Sequence, residues 1–343
     1  MQRLERILIA IDCRGALDTP ALRCGVELAR RSGARLDLVL FDHHPLIDAT
    51  ADLVPPTQMM ASKSDYLDRH RNWLADRIEI LSGEGLQIAG EIRWTPALHE
   101  ALIDRVLEYR PDLVIRDVGH NPASGNLHLS SADWKTLRLC PAPLLIMPPN
   151  MPVLPERIIA AVDTAKGGGA KGGTPLNDLI AEQALRLGLY ADAEVGLAHV
   201  FPYEPLGDRI GQRLQDAYDD MRAIDRQNFD DYAQRLRIPE QKCHLLSGPP
   251  GNALAHLAER GLVDLLVIGT VYRNSLERFF LGSTAEYLLG LMPCSLLVIK
   301  PSDFKTELQR HIDLEALRRR QSLLQTERVY AVGESEFESQ KVA

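Results

Sequence analysis

Residues 264–301 read DLLVIGTVYRNSLERFFLGSTAEYLLGLMPCSLLVIKP, and the order of residue types in them decides the fold. Leu265–Ile268 is an apolar, β-branched run that stops at Gly269. A loop follows, then Gly282-Ser283-Thr284, an apolar-periodic segment, and a second run, Leu296–Ile299, closed by Pro301. Strand, glycine loop, helix, strand is the order of a parallel α/β sheet. Glycines after the strand let a backbone approach a ligand. The start of the next helix offers unpaired N–H groups and the positive end of a dipole, which suits a phosphate. Ser283-Thr284-Ala285-Glu286 equally fits S-x-x-E, a capping box that starts a helix without any ligand. Both readings stand open on these residues.

The same grammar occurs twice. RILIAID (6–12) has the form of RIIAAVD (157–163), and DWKTLRLCPAPLLIMPP (133–149) has that of AEYLLGLMPCSLLVIKP (285–301). The two pairs are displaced by nearly the same number of residues, which marks a duplicated domain. In the first repeat the pattern gives strand 6–12, a helix bearing Leu22, Val26 and Ala29, strand 36–41, and a long helix over about 65–81 with Leu67, Leu74, Ile78 and Leu81. Strand 87–94, a helix bearing Leu98, Leu102 and Val106, strand 113–115, a short helix near 133–139 and strand 144–147 complete it. The second repeat gives strand 157–163, a helix bearing Ile180, Ala184 and Leu187, strand 194–200, a helix over about 213–236, strand 242–246, a turn at 247–251 and a helix with Leu254, Leu257 and Ala258. The expected fold is therefore α/β: two tandem doubly wound parallel-sheet domains of five strands each, order 3-2-1-4-5, with ligands at the carboxyl ends near strands 1 and 4. The expected domains are 1–150 and 151–304, joined by the proline-marked MPVLPE (151–156), with an extension at 305–343 holding a helix over 307–325 and a polar, disordered end from 334.

The 343 residues are 45% hydrophobic and 25% charged, with net charge -8. That balance argues against a general nucleic-acid binder. There is no signal-peptide pattern at the start and no run of membrane-span length. Five scattered cysteines without C-x-x-C spacing read as reduced and mostly buried in a cytoplasmic protein.

Asp12 and Asp163 each end a first strand at the expected ligand edge, where an acid either meets a ligand or caps the next turn. KGGGAKGGT (166–174) fails as a P-loop, because Lys171 precedes Gly172-Gly173 instead of Ser or Thr, so it reads as a flexible loop. His99-Glu100 lacks the second histidine of H-E-x-x-H, since Ile103 stands there. His43-His44 read as surface loop, and no metal site is expected from spacing. No nucleophile signature is present, so no catalytic residue is assigned. Arg273 and Arg278 in the glycine loop suit phosphate oxygens, each such bond being worth roughly 1.5–3 kcal/mol when desolvated. Phe279-Phe280-Leu281 suits an interface.

With these residues in place the chain resembles the universal stress protein family, in its tandem-domain form, over about 1–304. Nucleotide-binding members carry G-x-x-G, nine residues, then G-[ST]. Gly269 and Gly282-Ser283 match at the right total spacing, and Tyr272 stands where the second glycine belongs. The resemblance implies Asp163 and Val200 at an adenine and Gly269, Arg273, Gly282, Ser283 and Thr284 at phosphates. The first repeat departs, with Arg116-Asp117 after its fourth strand and Ser130-Ser131-Ala132 in place of Gly282-Ser283-Thr284, so a degenerate, structural first domain is expected. The resemblance further implies ATP or a related ligand in the second domain only, with magnesium solely as the nucleotide's companion. It implies a cytoplasmic role in stress survival, including resistance to DNA-damaging agents, and pairing of last strands as an internal pseudo-dimer. Two alternatives remain beside this regulatory reading: a slow ATP hydrolase, and a non-nucleotide module in which Tyr272 fills the site and apolar surface takes a lipid-like ligand or a protein partner.

Overall fold

The computed structural model describes residues 3–49, 53, 55–118, 129–165, 174–203, 212–270, 282–306 and 326–329. The chain forms two compact units, one built on Leu4–Asp117 with the strand Thr326–Val329, the other on Val118–Lys305.

The unit on Leu4–Asp117 runs β1 (Arg6–Asp12), α1 (Pro20–Ser32), β2 (Arg35–Asp42), α2 (Pro45–Ala49), α3 (Pro56–Gly83), β3 (Ile88–Trp94), α4 (Leu98–Tyr109) and β4 (Leu113–Asp117). β1 pairs in parallel with β2 and β4, Ile9 lying opposite Leu38 and Ile115. Ile7, Leu8, Ile9 and Ile11 are all buried, as a strand covered on both faces requires. Thr19 starts α1 by accepting from the Leu22 N–H at 3.2 Å, Pro20 presets its first turn, and Gly33 ends it in the left-handed region. The stripe Leu67, Leu74, Ile78, Leu81 packs inward from α3, and Leu98, Leu102 and Val106 do the same from α4.

The other unit contains α5 (Ser131–Leu139), β5 (Leu144–Met147), β6 (Arg157–Ala161), α6 (Pro175–Ala191), β7 (Glu194–Phe201), α7 (Gln212–Leu236), β8 (Cys243–Ser247), α8 (Pro250–Leu257), β9 (Leu265–Gly269), α9 (Ser283–Leu291) and β10 (Ser295–Ile299). Its sheet runs β5-β10-β9-β6-β7-β8. Numbered within the second repeat, β10-β9-β6-β7-β8 is 5-4-1-2-3, the expected order. In the unit on Leu4–Asp117, β3-β2-β1-β4 is 3-2-1-4. The last strands of the two repeats, β5 and β10, pair antiparallel, with Leu145 opposite Leu297.

Three features depart from the expectations. An unforeseen strand, β11 (Thr326–Val329), pairs antiparallel with β3, Thr326 opposite Arg93. The proline-rich loop after β2 contains the short α2, and α3 starts earlier than its apolar stripe, at Pro56. β6 ends at Ala161, though the Val162 N–H still donates to the Ala198 carbonyl at 2.9 Å. The expected helix over 307–325 and polar end from 334 lie outside the described residues. Among the described residues no helix is long and apolar enough to cross a membrane.

Candidate functional site

The carboxyl edge of β6, β7 and β9 carries three of the residues singled out in the second repeat, Asp163, Val200 and Gly269. β6 lies between β9 and β7. Asp163 is exposed just beyond β6, and Val200 is half-buried near the end of the neighbouring β7. Asn177, buried in the first turn of α6, fixes the backbone there. Its Oδ1 accepts from the Asp163 N–H at 3.1 Å, and its Nδ2 donates to the Asp163 carbonyl at 2.9 Å. Thr174 caps α6 by accepting from the Asn177 N–H at 3.2 Å, so the cap and the Asp163 turn form one unit.

Behind this edge sits His199, which the sequence reading missed. Its Nδ1 is 3.0 Å from the Val162 carbonyl and its Nε2 is 2.7 Å from Asp225 Oδ2 on α7. Both side chains are almost wholly buried, and Phe229 lies against the imidazole with ring centres 5.8 Å apart. Strand β7 is thereby tied from beneath to α7. The sequence signal was a polar His in an apolar strand, but its acid partner lies 26 positions away.

Gly269 ends β9, and the structure gives it a packing role. A Cβ there would stand 2.8 Å from both Ile180 Cδ1 and Leu176 Cδ2 of α6. The missing side chain lets α6 pack against the sheet. Gly282 differs, because a Cβ there meets no atom of the described residues within 4 Å.

The capping-box reading of Ser283–Glu286 is overturned. The N-cap is Gly282, with φ -58° and ψ 150° and no side-chain cap bond, and Ser283 is already the first helical residue. The Glu286 N–H donates to the Gly282 carbonyl at 3.0 Å, and Glu286 faces Arg138 of α5 at 3.4 Å instead of reaching back to the cap. Among the described residues the first N–H groups of α9 thus have no side-chain cap. Ser283 is exposed and Thr284 half-buried at this start. Arg273, together with Tyr272, Arg278 and Phe279-Phe280-Leu281, lies outside the described residues, as does most of KGGGAKGGT.

The first repeat spends the equivalent positions on itself. Ser130, opposite Gly282 in the duplication, caps α5 by accepting from the Asp133 N–H at 3.2 Å. Asp133 Oδ2 accepts from the Ser130 N–H at 2.7 Å and the Ser130 hydroxyl at 2.8 Å. A carboxylate of the chain occupies the place an anion would take. Asp117, opposite Gly269, accepts from the Ala21 N–H at 2.9 Å at the start of α1; burial, outweighing its hydrogen bonds, pushes its pKa up. Asp12 is held by Arg14, with Nη2 at 2.5 Å and the Arg14 N–H at 3.1 Å. Burial would raise the Asp12 carboxyl, but the Arg14 hydrogen bonds and charge hold it below the usual range. His43, after β2, has its Nε2 2.6 Å from Asp48 Oδ2 of α2.

Residues 156–300 match the Universal stress protein family. The chain is 26% identical over 318 residues to Universal stress protein E of Salmonella typhi, covering 90% of this chain and 98% of that one. A functionally unknown protein from Pseudomonas aeruginosa PAO1 has the same fold at 22% identity and TM-score 0.69, covering 92% of this chain and 98% of that chain. A universal stress protein from Archaeoglobus fulgidus DSM 4304 follows at TM-score 0.54 and 15% identity, over 86% and 97% respectively.

Proposed function

We propose that this chain, whose residues 156–300 belong to the universal stress protein family and which resembles Universal stress protein E along most of its length, is a stress-response regulatory module that holds ATP or a related nucleotide in its second domain. In this reading the domains are 1–150 and 151–304, the first being structural, with 305–343 as an extension. The protein acts in the cytoplasm. Asp163 and Val200 meet the base, and Gly269, Gly282, Ser283 and Thr284 meet phosphates, the last three at the start of α9. Arg273 adds charge from the loop, and Gly269 holds α6 in place for the site. Magnesium accompanies the nucleotide and needs no dedicated protein cage.

The observation that carries this reading is the contrast between the two duplicated helix starts. α5 is closed by its own Ser130 and Asp133, whereas α9 starts at Gly282 with no side-chain cap. N–H groups with no side-chain cap among the described residues, at the positive end of a nine-residue helix, suit a phosphate, and no described atom crowds a Cβ at Gly282.

The test is calorimetric titration of ligand-stripped protein with ATP, beside Gly282→Val. A valine there puts bulk at the helix start, where a Cβ meets no described atom within 4 Å. Binding by the native chain that the variant loses supports the reading. A folded native chain that takes up no ATP overturns it in its ATP form.

A further inference from the structure

Three potential metal donors meet in the unit on Leu4–Asp117, far apart in sequence. Cys13 follows β1, Asp42 ends β2 and His70 lies midway along α3. All three are buried, and one ligand atom from each lies within 4.8 Å of the others. We infer that Cys13, Asp42 and His70 form a binding site for a borderline-soft divalent cation of the zinc type, separate from the nucleotide site proposed for the second domain.

The donor chemistry selects the class. One thiolate, one imidazole and one carboxylate form a mixed sulfur, nitrogen and oxygen set, which zinc accepts in tetrahedral geometry and which magnesium or calcium does not favour. Three protein ligands leave a fourth position for water. Around a tetrahedral zinc, bonds of about 2.0–2.3 Å place the donors about 3.3–3.8 Å apart. The cluster spans 4.8 Å at most, and His70 Nδ1 sits 2.5 Å from Asp42 Oδ2. Binding therefore places the cation between His70 Nδ1 and Asp42 Oδ2 with the imidazole proton moved to Nε2, opens that pair by about an ångström and draws Cys13 in. The Cys13 thiol gives its proton to solvent as the metal–sulfur bond forms.

The surroundings fit such an exchange. Asp42 keeps its orientation through Oδ1, which accepts from the His43 N–H at 2.8 Å and faces the Tyr66 hydroxyl at 3.4 Å. This leaves Oδ2 to the cation, as outer partners do in established metal sites. Arg69 Nη2 lies 3.2 Å from His70 Nε2. Arg69 is exposed, so it can swing into water when metal on Nδ1 makes Nε2 a donor. Tyr66 stands edge-on to His70 at 5.9 Å and to Trp94 at 5.9 Å, walling the donors from solvent on that side. His44 also stands edge-on to Tyr66, at 5.2 Å, and its buried Nδ1 has no hydrogen-bond partner among the described residues.

The test uses the full chain, stripped of metal and nucleotide, titrated with cobalt(II) and then zinc(II). Tetrahedral cobalt bound to a thiolate gives a sulfur-to-metal charge-transfer band. The expected result is one equivalent of cobalt with that band, displaced by zinc. His70→Ala and Cys13→Ser each lose the band and at least tenfold in zinc affinity, while Cys24→Ser, at a buried cysteine outside the cluster, keeps both. Absence of the band from the native chain overturns the site, as does its survival in Cys13→Ser. Should both site variants fail to fold, the native chain decides alone: one equivalent of band-forming cobalt, retained in Cys24→Ser, supports the site, and none refutes it.

Discussion

Ser130 and Asp133 satisfy each other across the first turn of α5, the serine hydroxyl accepting from the Asp133 N–H while the Asp133 carboxylate takes the Ser130 N–H. Removing the serine oxygen with Ser130→Ala should cost about 1 kcal/mol, read as a shift in denaturant midpoint. Transplanting the pair to the other repeat as Gly282→Ser with Ala285→Asp should stabilise α9 and abolish ATP binding. The Asp133 and Ala285 positions are equally buried, at 2% exposure. Retained ATP affinity in a folded double variant would count against phosphate at the helix start.

The two glycines of the second repeat should part company under mutation. Gly269→Val drives a side chain into Leu176 and Ile180 and should cost about 1–3 kcal/mol of stability. Trimming Leu176 to alanine in the same chain should return part of that loss. Gly282→Val should leave the unfolding midpoint nearly unchanged and act on ligand binding alone. Equal stability losses at the two positions would refute this division of roles.

Lys300, at the end of β10, is almost buried. Burial lowers its pKa to about 8 from 10.5, partly opposed by Cys140 and reinforced by Arg138. The folded state therefore releases this proton more readily than the unfolded chain. Between about pH 8 and 10.5 the unfolded chain holds more protons, so the Lys300 contribution to stability rises with pH through that window. Lys300→Met should be more stable than the native chain at pH 7, by up to about 3 kcal/mol, with the gap closing toward pH 10.5. A gap independent of pH would show that packing, not charge, governs this position.

Four of the five cysteines are buried and Cys243 is half-exposed. Burial pushes the Cys24, Cys140 and Cys294 thiols up to about 12. In the folded state a thiol reagent should label Cys243 first, and peptide mapping after a short exposure reads this directly. Rapid labelling of Cys140 would mean that β5 and α5 open far more easily than their packing implies.

How far the sequence reveals each feature depends on how local it is. The apolar runs at 6–12, 144–147 and 265–268 and the stripe Leu67–Leu81 are read within a few residues, and they recur as buried strands and a packed helix face. The candidate site is legible at Asp163, because Asp12 repeats the acid at the end of the first strand, and at Gly269 and Gly282, because the first repeat has Asp117 and Ser130 in their places. The sequence does not show what each glycine is for. Gly269 answers to Leu176 and Ile180, more than eighty positions upstream, and no spacing rule joins them. The His199–Asp225 tie and the Cys13–Asp42–His70 cluster are hidden for the same reason: their members are adjacent only once strands and helices have packed. β11 is four residues in a polar stretch, too short for a periodicity signal.

The pairing of β11 with β3 also bears on how the chain is made. The β3 partners of β11, Gly90–Arg93, are translated more than two hundred residues before Thr326–Val329. At about 5–20 residues per second that interval is roughly 10–45 s. Throughout it the nascent chain carries a strand whose outer hydrogen-bonding row awaits a segment not yet synthesised. Early termination of translation before codon 326 would release a product with that row unfilled, open to pairing with another chain.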